Sequence, residues 1–150
     1  MLFAMTRQLR PLEQNPSMSP SNTLESKMRT LPPLRILLCE DEQLIRMLLT
    51  DTLTHKGHHV IEAASAKAAL QHDLDSVDVL ITDIGLPDGS GADLAHAVRL
   101  RRPNLPVIYA TGHADHGLTL DAHSAAVIKP YGAEQLFEAI GRVMGLTPST

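Results

Sequence analysis

The chain has 150 residues and a formal net charge of −4, and 43% of its residues are hydrophobic while 20% are charged. This length suits one domain of ordinary size, and an acidic body without a basic stripe argues against direct binding of nucleic acid. Because no apolar run approaches the roughly 18 residues of a membrane span, and because the single cysteine, Cys39, cannot form an internal disulfide, we expect a cytoplasmic protein without a membrane segment.

The first 33 residues have the composition of a disordered tail. They contain five of the chain's ten prolines and show no periodic apolar face, so they cannot bury enough surface to offset the entropy of ordering. They also lack the apolar stretch of a secretory signal. We therefore predict a tail over residues 1–33, with a docking arm as the alternative, one folded domain over residues 34–146, and a short tail over residues 147–150.

The first half of the predicted domain alternates strands and helices. A continuous apolar run predicts a strand at 35–39 that is buried on both faces. The next segment places five apolar residues on one helical face: Leu44, Ile45, Leu48, Leu49 and Leu53. Lys56 and Gly57 end this helix. A short strand at 58–62, predicted at an edge, and a helix capped by Ser65 follow.

The second half of the domain continues the alternation to the last helix. The predicted elements are a strand at 78–82, a helix opened by Gly91 and closed by Arg102, a strand at 106–110, a weak helix at best at 114–123, a strand at 125–128, and a helix from about Glu134 to Gly145. Strands that alternate with single helices predict an α/β fold of the (βα)5 type. This is a doubly wound, flavodoxin-like parallel sheet of five strands with right-handed crossovers.

Polar side chains stand at the carboxyl ends of four predicted strands. They are Glu40, Asp41 and Glu42 after the first strand, Asp83 after the third, Thr111 after the fourth and Lys129 after the fifth. Ligands of open parallel sheets bind beyond these strand ends. Converging carboxylates repel each other, and a divalent cation with hard oxygen ligands, Mg2+, relieves that repulsion.

This set of side chains suits phosphorylation of an aspartate. With Mg2+ bound, Asp83 stays ionised and can attack phosphorus to give an acyl phosphate. The cation, Lys129 and the Thr111 hydroxyl can each take one oxygen of the transferring phosphoryl group. The sequence therefore predicts a metal-assisted phosphorylation site at Asp83.

The motifs resemble the receiver domains of two-component response regulators. The matching residues are Glu40-Asp41-Glu42, Asp83 with Leu86-Pro87 and Gly91, Thr111-Gly112, and Lys129-Pro130. The resemblance covers about residues 34–146 and implies strand order 2-1-3-4-5. It also implies that Asp83 is the phosphoacceptor, a phosphoprotein site in a phosphorelay.

The resemblance further assigns the metal ligands and the partners. Asp41, Asp83 and the backbone carbonyl of Gly85 would bind Mg2+, with Glu40 acting through water. Thr111 and Lys129 would sense the phosphoryl group. The donor would be a phosphohistidine on a sensor histidine kinase or a histidine phosphotransfer protein.

Two features depart from the usual receiver pattern. Ala126 stands three positions before Lys129, where most receivers carry an aromatic residue that moves on activation, and Thr111 and Lys129 are only 129 − 111 = 18 positions apart. The run around Tyr109 resembles an atypical Phe-Ala-Thr-Gly subgroup of single-domain receivers that also lacks the aromatic. We therefore expect the weak segment 114–123 to order on phosphorylation, and His113 to influence the rate of phosphoryl loss.

Several functional readings stay open beside one another. We expect a single-domain receiver that signals to a downstream protein partner, because only residues 147–150 follow the predicted domain. A phosphate sink in a phosphorelay and a pseudo-receiver that binds partners constitutively are the alternatives. A phosphatase of the haloacid dehalogenase type would need a second aspartate at the position of Gly85, so we expect no enzyme beyond self-catalysed phosphorylation and dephosphorylation.

Overall fold

A computed structural model describes residues 31–112 and 118–146. Its main strands are β1 (Arg35–Cys39), β2 (His59–Ala63), β3 (Val79–Asp83), β4 (Val107–Thr111) and β5 (Ser124–Ile128). The helices are α1 (Gln43–His55), α2 (Ala66–Leu70), α3 (Gly91–Arg101) and α4 (Ala133–Val143), with a 3-10 turn at Leu74–Ser76. A two-residue ladder pairs Gly85–Leu86 with Gly89–Ser90, and we call this segment the 85–90 hairpin.

The five main strands form one parallel sheet in the order β2-β1-β3-β4-β5. This confirms the predicted fold and strand order. The chain runs outward from β1 to β2 and then returns to the other side of β1, so the order reverses between β1 and β3. The carboxyl ends of those two strands therefore form the switch point where ligands of such sheets bind.

The central strands are buried on both faces, as their continuous apolar runs predicted. The core lies on the two sides of β1, β3 and β4, whose fully buried side chains include Ile36, Leu37, Leu38, Leu80, Ile81 and Ile108. Helix α4 covers one face with five buried apolar side chains: Leu136, Phe137, Ala139, Ile140 and Val143. Burial of apolar surface stabilises the folded state by roughly 25 cal/mol per Å2. The resulting core fixes the positions of the strand ends.

Local signals begin and end the helices where the sequence indicated. The Ser65 hydroxyl accepts the Ala68 N–H at 3.1 Å at the start of α2, and the Ser90 hydroxyl accepts the Asp93 N–H at 3.0 Å at the start of α3. Gly57, which follows α1, has φ +96°, a backbone conformation that glycine adopts without steric cost.

The structure differs from the sequence prediction in two respects. Strands β2, β3 and β4 end one residue later than predicted, so Asp83 and Thr111 are the last residues of β3 and β4. Residues 118–123 contain no helix, and residues 113–117 lie outside the described part of the chain. Most of the predicted tails, at 1–30 and 147–150, also lie outside it.

The apolar face of α1 is only partly covered. Leu53 is buried, but Leu44 is 74% exposed and Leu48 is 69% exposed. The prediction that all five apolar residues share one helical face is therefore wrong, because Leu44 and Leu53 are nine positions apart and lie about 180° apart around the helix axis. Among the described residues, no helix has both the length and the apolar character needed to cross a membrane.

His58 gives the fold a pH dependence. Its Nδ1 atom accepts the Leu34 N–H at 3.1 Å, and burial lowers the pKa of this histidine below its ordinary value of 6.5. The unfolded chain therefore binds the proton first as the pH falls, so stability is complete above about pH 6.5 and decreases below it. We expect His58→Asn, which keeps an acceptor but does not titrate, to flatten the dependence of the unfolding free energy between about pH 7 and pH 5.

Urea unfolding across this pH range measures the effect. His72→Asn, the same change of residue at an exposed position, is the matched control. Equal slopes for His58→Asn and the parent chain would contradict the assignment.

Candidate functional site

Three carboxylates converge at the switch point between β1 and β3. Glu40 and Asp41 directly follow β1, and Asp83 ends β3, which pairs with β1 along its length. One carboxylate oxygen from each lies within 4.8 Å of the others. Glu40 is buried, Asp83 is half-buried and Asp41 is exposed. Hard oxygen donors clustered in this way, with one side open to solvent, fit Mg2+, which keeps several waters when it binds.

Lys129 lies against this acidic cluster. It follows β5, and its backbone N–H donates to the Thr111 carbonyl at 2.7 Å. Its ammonium Nζ donates to Asp83 Oδ2 at 3.0 Å and lies 3.6 Å from Glu40 Oε1. Burial lowers the pKa of Lys129, but the hydrogen bond to Asp83 and the charges of both acids outweigh it and raise the pKa overall. The lysine thus stays charged beside the predicted phosphoacceptor.

Glu40 is held in place by its surroundings. Its Oε2 accepts the Glu42 N–H at 3.0 Å, and its carbonyl accepts a hydrogen bond from Arg46 at 2.7 Å. Burial raises the pKa of Glu40, an effect that the Glu42 N–H and Lys129 oppose and that Asp83 and Asp41 reinforce. A buried carboxylate with a raised pKa gains most from a nearby cation.

The backbone after Asp83 turns sharply into the 85–90 hairpin. The Gly91 N–H donates to the Ile84 carbonyl at 2.7 Å, which closes the base of the hairpin. A side chain at Gly91 would overlap the backbone carbonyl of Asp83, so glycine is required there. Gly85, the predicted carbonyl ligand, lies exposed at the start of the hairpin.

Thr111 and Ala126 lie on the two strands at the edge of the site. Thr111 is buried at the end of β4. Ala126 pairs directly with Tyr109 across β4 and β5, and the Tyr109 side chain is itself buried. The aromatic group on this face of the sheet is therefore on β4 and not on β5. His113 lies outside the described residues, so its influence on phosphoryl loss stays a prediction.

Two features near the site were missed from the sequence. A groove of about 720 Å3 lies between α1 and the segment after β5, lined by Ile45, Leu48, Leu49, Thr52, Lys129, Pro130, Tyr131, Gly132, Ala133 and Leu136. Burial, then the charges of Glu40 and Asp83, raise the pKa of Tyr131 to about 12. The apolar residues of α1 that line the groove, such as Leu48, were the signal for it, but their pattern also suits a buried face.

The second missed feature is Asp88, at the turn of the 85–90 hairpin. Its two carboxylate oxygens accept the backbone N–H groups of Ala66 and Lys67, each at 2.9 Å. These contacts join residues that are 21 and 22 positions apart in the chain. No local pattern predicts such a contact.

Comparison with known proteins gives a consistent family. The protein-family model described as the response regulator receiver domain matches residues 36–141 of the chain. The chain is 32% identical to the response regulator protein FleR of Pseudomonas aeruginosa over 122 residues, which cover 77% of this chain and 26% of FleR. The chain thus spans about a quarter of the length of that relative.

Solved structures show the same fold. A response regulator receiver domain protein from Clostridium thermocellum superposes with a TM-score of 0.69 at 29% identity, covering 75% of this chain and 94% of that one. The response regulator protein TrrA from Thermotoga maritima, solved in complex with Mg2+ and BeF, superposes with a TM-score of 0.65 at 26% identity. That match covers 73% of this chain and 98% of TrrA.

Proposed function

The chain belongs to the response regulator receiver domain family, and from that premise we propose that it accepts a phosphoryl group on Asp83 in a Mg2+-dependent reaction. The observation that carries the proposal is the position of Lys129 Nζ, 3.0 Å from Asp83 Oδ2, beside a cluster of three acids. A nucleophilic carboxylate, a cationic partner and a set of metal ligands thus meet at one sheet edge.

The proposed metal ligands are Glu40, Asp41, Asp83 and the Gly85 carbonyl, with Glu40 acting through water. A bound Mg2+ would neutralise the acids and the charge of the phosphoryl oxygens. TrrA, a related receiver, has been solved with Mg2+ and BeF, which supports the same chemistry here.

Asp83 carries out the proposed bond exchange. One carboxylate oxygen attacks phosphorus, the P–N bond of the donor phosphohistidine breaks, and the imidazole leaves with the bonding electron pair and takes up a proton. Lys129 then exchanges its hydrogen bond with Asp83 for one with a phosphoryl oxygen. The Thr111 hydroxyl is proposed to take another. The product is an aspartyl phosphate whose phosphoryl group carries about two negative charges, while the carboxylate has given up its own charge.

We further propose that the donor is a protein and that it docks on the apolar face of α1. Leu44, Met47 and Leu48 are all more than half exposed, and the groove beside Leu48 extends to Lys129 at the phosphorylation site. A helix that carries phosphohistidine and an apolar stripe could cover this face while its imidazole reaches Asp83. The modified protein is proposed to signal by binding a downstream protein partner.

Leu48→Arg tests the docking step. We expect the variant to slow phosphotransfer from a phosphorylated histidine phosphotransfer protein by about tenfold or more, since burying an unpaired charge in an apolar contact is costly. Phosphorylation by acetyl phosphate should stay within about twofold of the parent chain. Leu100→Arg, at an exposed leucine of α3, is the matched control and should change neither rate. Equal slowing with both donors would contradict docking at this face.

The proposed reaction is tested by the intact mass of the chain after incubation with acetyl phosphate. We expect the mass of one phosphoryl group to be added in the presence of Mg2+ and not in the presence of EDTA. A chain that gains no mass with any donor would instead favour the constitutive pseudo-receiver. The intact acidic cluster and its lysine partner argue against that alternative.

A further inference from the structure

We propose that Asp88 is a positioning residue for the metal site, because it anchors the hairpin that carries Gly85. The inference rests on the proposed function, in which the Gly85 carbonyl is a Mg2+ ligand. It concerns a residue that does not itself reach the acidic cluster. Asp88 would act by fixing the path of the backbone between Asp83 and Gly91.

The hairpin has separate attachments at its base and at its turn. At the base, the Ile84 N–H donates to the Ala110 carbonyl at 3.1 Å, and the Gly91 N–H donates to the Ile84 carbonyl at 2.7 Å. Between base and turn, the ladder is only two residue pairs long. At the turn, the Asp88 carboxylate binds the first two backbone N–H groups of α2 at 2.9 Å each.

Those two hydrogen bonds connect the hairpin to a separate part of the fold. Helix α2 follows β2, which is an edge strand of the sheet, whereas the hairpin follows the central strand β3. The N-terminal N–H groups of α2 have no partner within the helix. A carboxylate that accepts two N–H groups is fixed in both position and orientation. The same hydrogen bonds lower the pKa of Asp88, so the contact remains charged at neutral pH.

A short ladder in solvent needs such an anchor. Gly85, Asp88 and Gly89 are all exposed, and a two-stranded hairpin is marginally stable by itself in water. Without the Asp88 carboxylate, the turn would move about its base and the Gly85 carbonyl would sample several directions. Binding of Mg2+ would then have to order that carbonyl, and the lost conformational entropy would weaken binding. The anchored hairpin is already ordered, so it avoids this cost.

A simpler reading is that Asp88 only stabilises α2. Ser65 distinguishes the two readings, because its hydroxyl accepts the Ala68 N–H, a hydrogen bond that lies within the helix start and not between the helix and the hairpin. Loss of either acceptor should destabilise the start of α2 by a similar mechanism. Only the loss of Asp88 should affect the binding of Mg2+.

The test is a Mg2+ titration of the full chain and of three variants, followed by tyrosine fluorescence. The chain has two tyrosines and no tryptophan, and Tyr131 lies close enough to the acids for their charges to raise its pKa. We expect Asp88→Ala to weaken Mg2+ binding by about tenfold, the low end for residues that orient metal ligands. Asp88→Asn keeps one acceptor oxygen and should show an intermediate loss. Ser65→Ala should lower the melting temperature and leave the Mg2+ affinity unchanged.

The outcomes separate this inference from the function on which it rests. Equal Mg2+ affinity in the parent chain and in Asp88→Ala would overturn the positioning role alone. Equal loss of affinity in Ser65→Ala and Asp88→Ala would also overturn it, because helix stability would then explain both. A parent chain that binds no Mg2+ would overturn the proposed function and this inference together. Amide NMR of Gly85 gives a second readout, with line broadening expected in Asp88→Ala only.

Discussion

Replacing Asp83 by alanine should abolish phosphorylation of the chain completely. The substitution removes the proposed nucleophile and one of the three carboxylates that lie within 4.8 Å of one another, so it should also weaken Mg2+ binding. The stability of the folded state should not decrease, because removal of one acid relieves repulsion among like charges. Lys129 keeps Glu40 as a partner at 3.6 Å. We therefore expect no mass gain with acetyl phosphate and an unfolding temperature, measured without metal, at least as high as that of the parent chain.

Asp51→Ala is the matched control for this experiment. Asp51 is an exposed acid on α1, so its loss changes the net charge equally without touching the site. This variant should be phosphorylated like the parent chain. A phosphoryl group that still attaches to Asp83→Ala would show that another residue is the acceptor.

Gly91→Ala should destabilise the fold by about 3 kcal/mol or more, at the upper end of single substitutions. The added methyl would overlap the backbone carbonyl of Asp83 and approach the Thr82 side chain to 3.1 Å. Neither group can yield easily, since Thr82 is fully buried and the Asp83 carbonyl belongs to the backbone of a central strand. Relief of the overlap would displace Asp83 itself, so the variant should also lose phosphorylation. Urea unfolding measures the stability.

Gly141→Ala is the control, because this substitution should not destabilise the fold. Gly141 lies inside α4, and a methyl group added there would meet no atom within 4 Å apart from its chain neighbours and the backbone of its own helix. Alanine is the better helix former by about 1 kcal/mol, so this variant should be as stable as the parent chain or more stable. If the two glycine variants were equally destabilised, the crowding at Gly91 would not be the cause.

The sheet and the strand ends could be predicted because their signals are local. Each central strand is a short apolar run followed at once by polar residues, and a parallel sheet places all such ends on one edge. The pairing of β1 with β3 then brings Asp41 and Asp83 together without any further information. The contact of Lys129 with both Asp83 and Glu40 follows from the same topology.

The features that could not be predicted are contacts between residues far apart in the chain and the extent to which a helical face is covered. Periodicity places Leu44 and Leu48 on one helical face and Leu53 on the opposite side of Leu44, but it does not reveal how much of each face the sheet covers. The contact of Asp88 with the start of α2 joins exposed residues from two loops, and charge or turn patterns do not encode it. Ala126 was identified as a departure, yet only the strand register showed that Tyr109 lies directly beside it.

The roles of the site residues are most directly tested by locating the phosphoryl group. The chain is incubated with acetyl phosphate and Mg2+, the acyl phosphate is reduced with borohydride to fix its position, and the peptides are sequenced by mass spectrometry. We predict that the reduced residue is Asp83 and that the modification is absent when EDTA replaces Mg2+. Modification of Glu40 or Asp41 in place of Asp83, or labelling that does not depend on Mg2+, would contradict the proposed site.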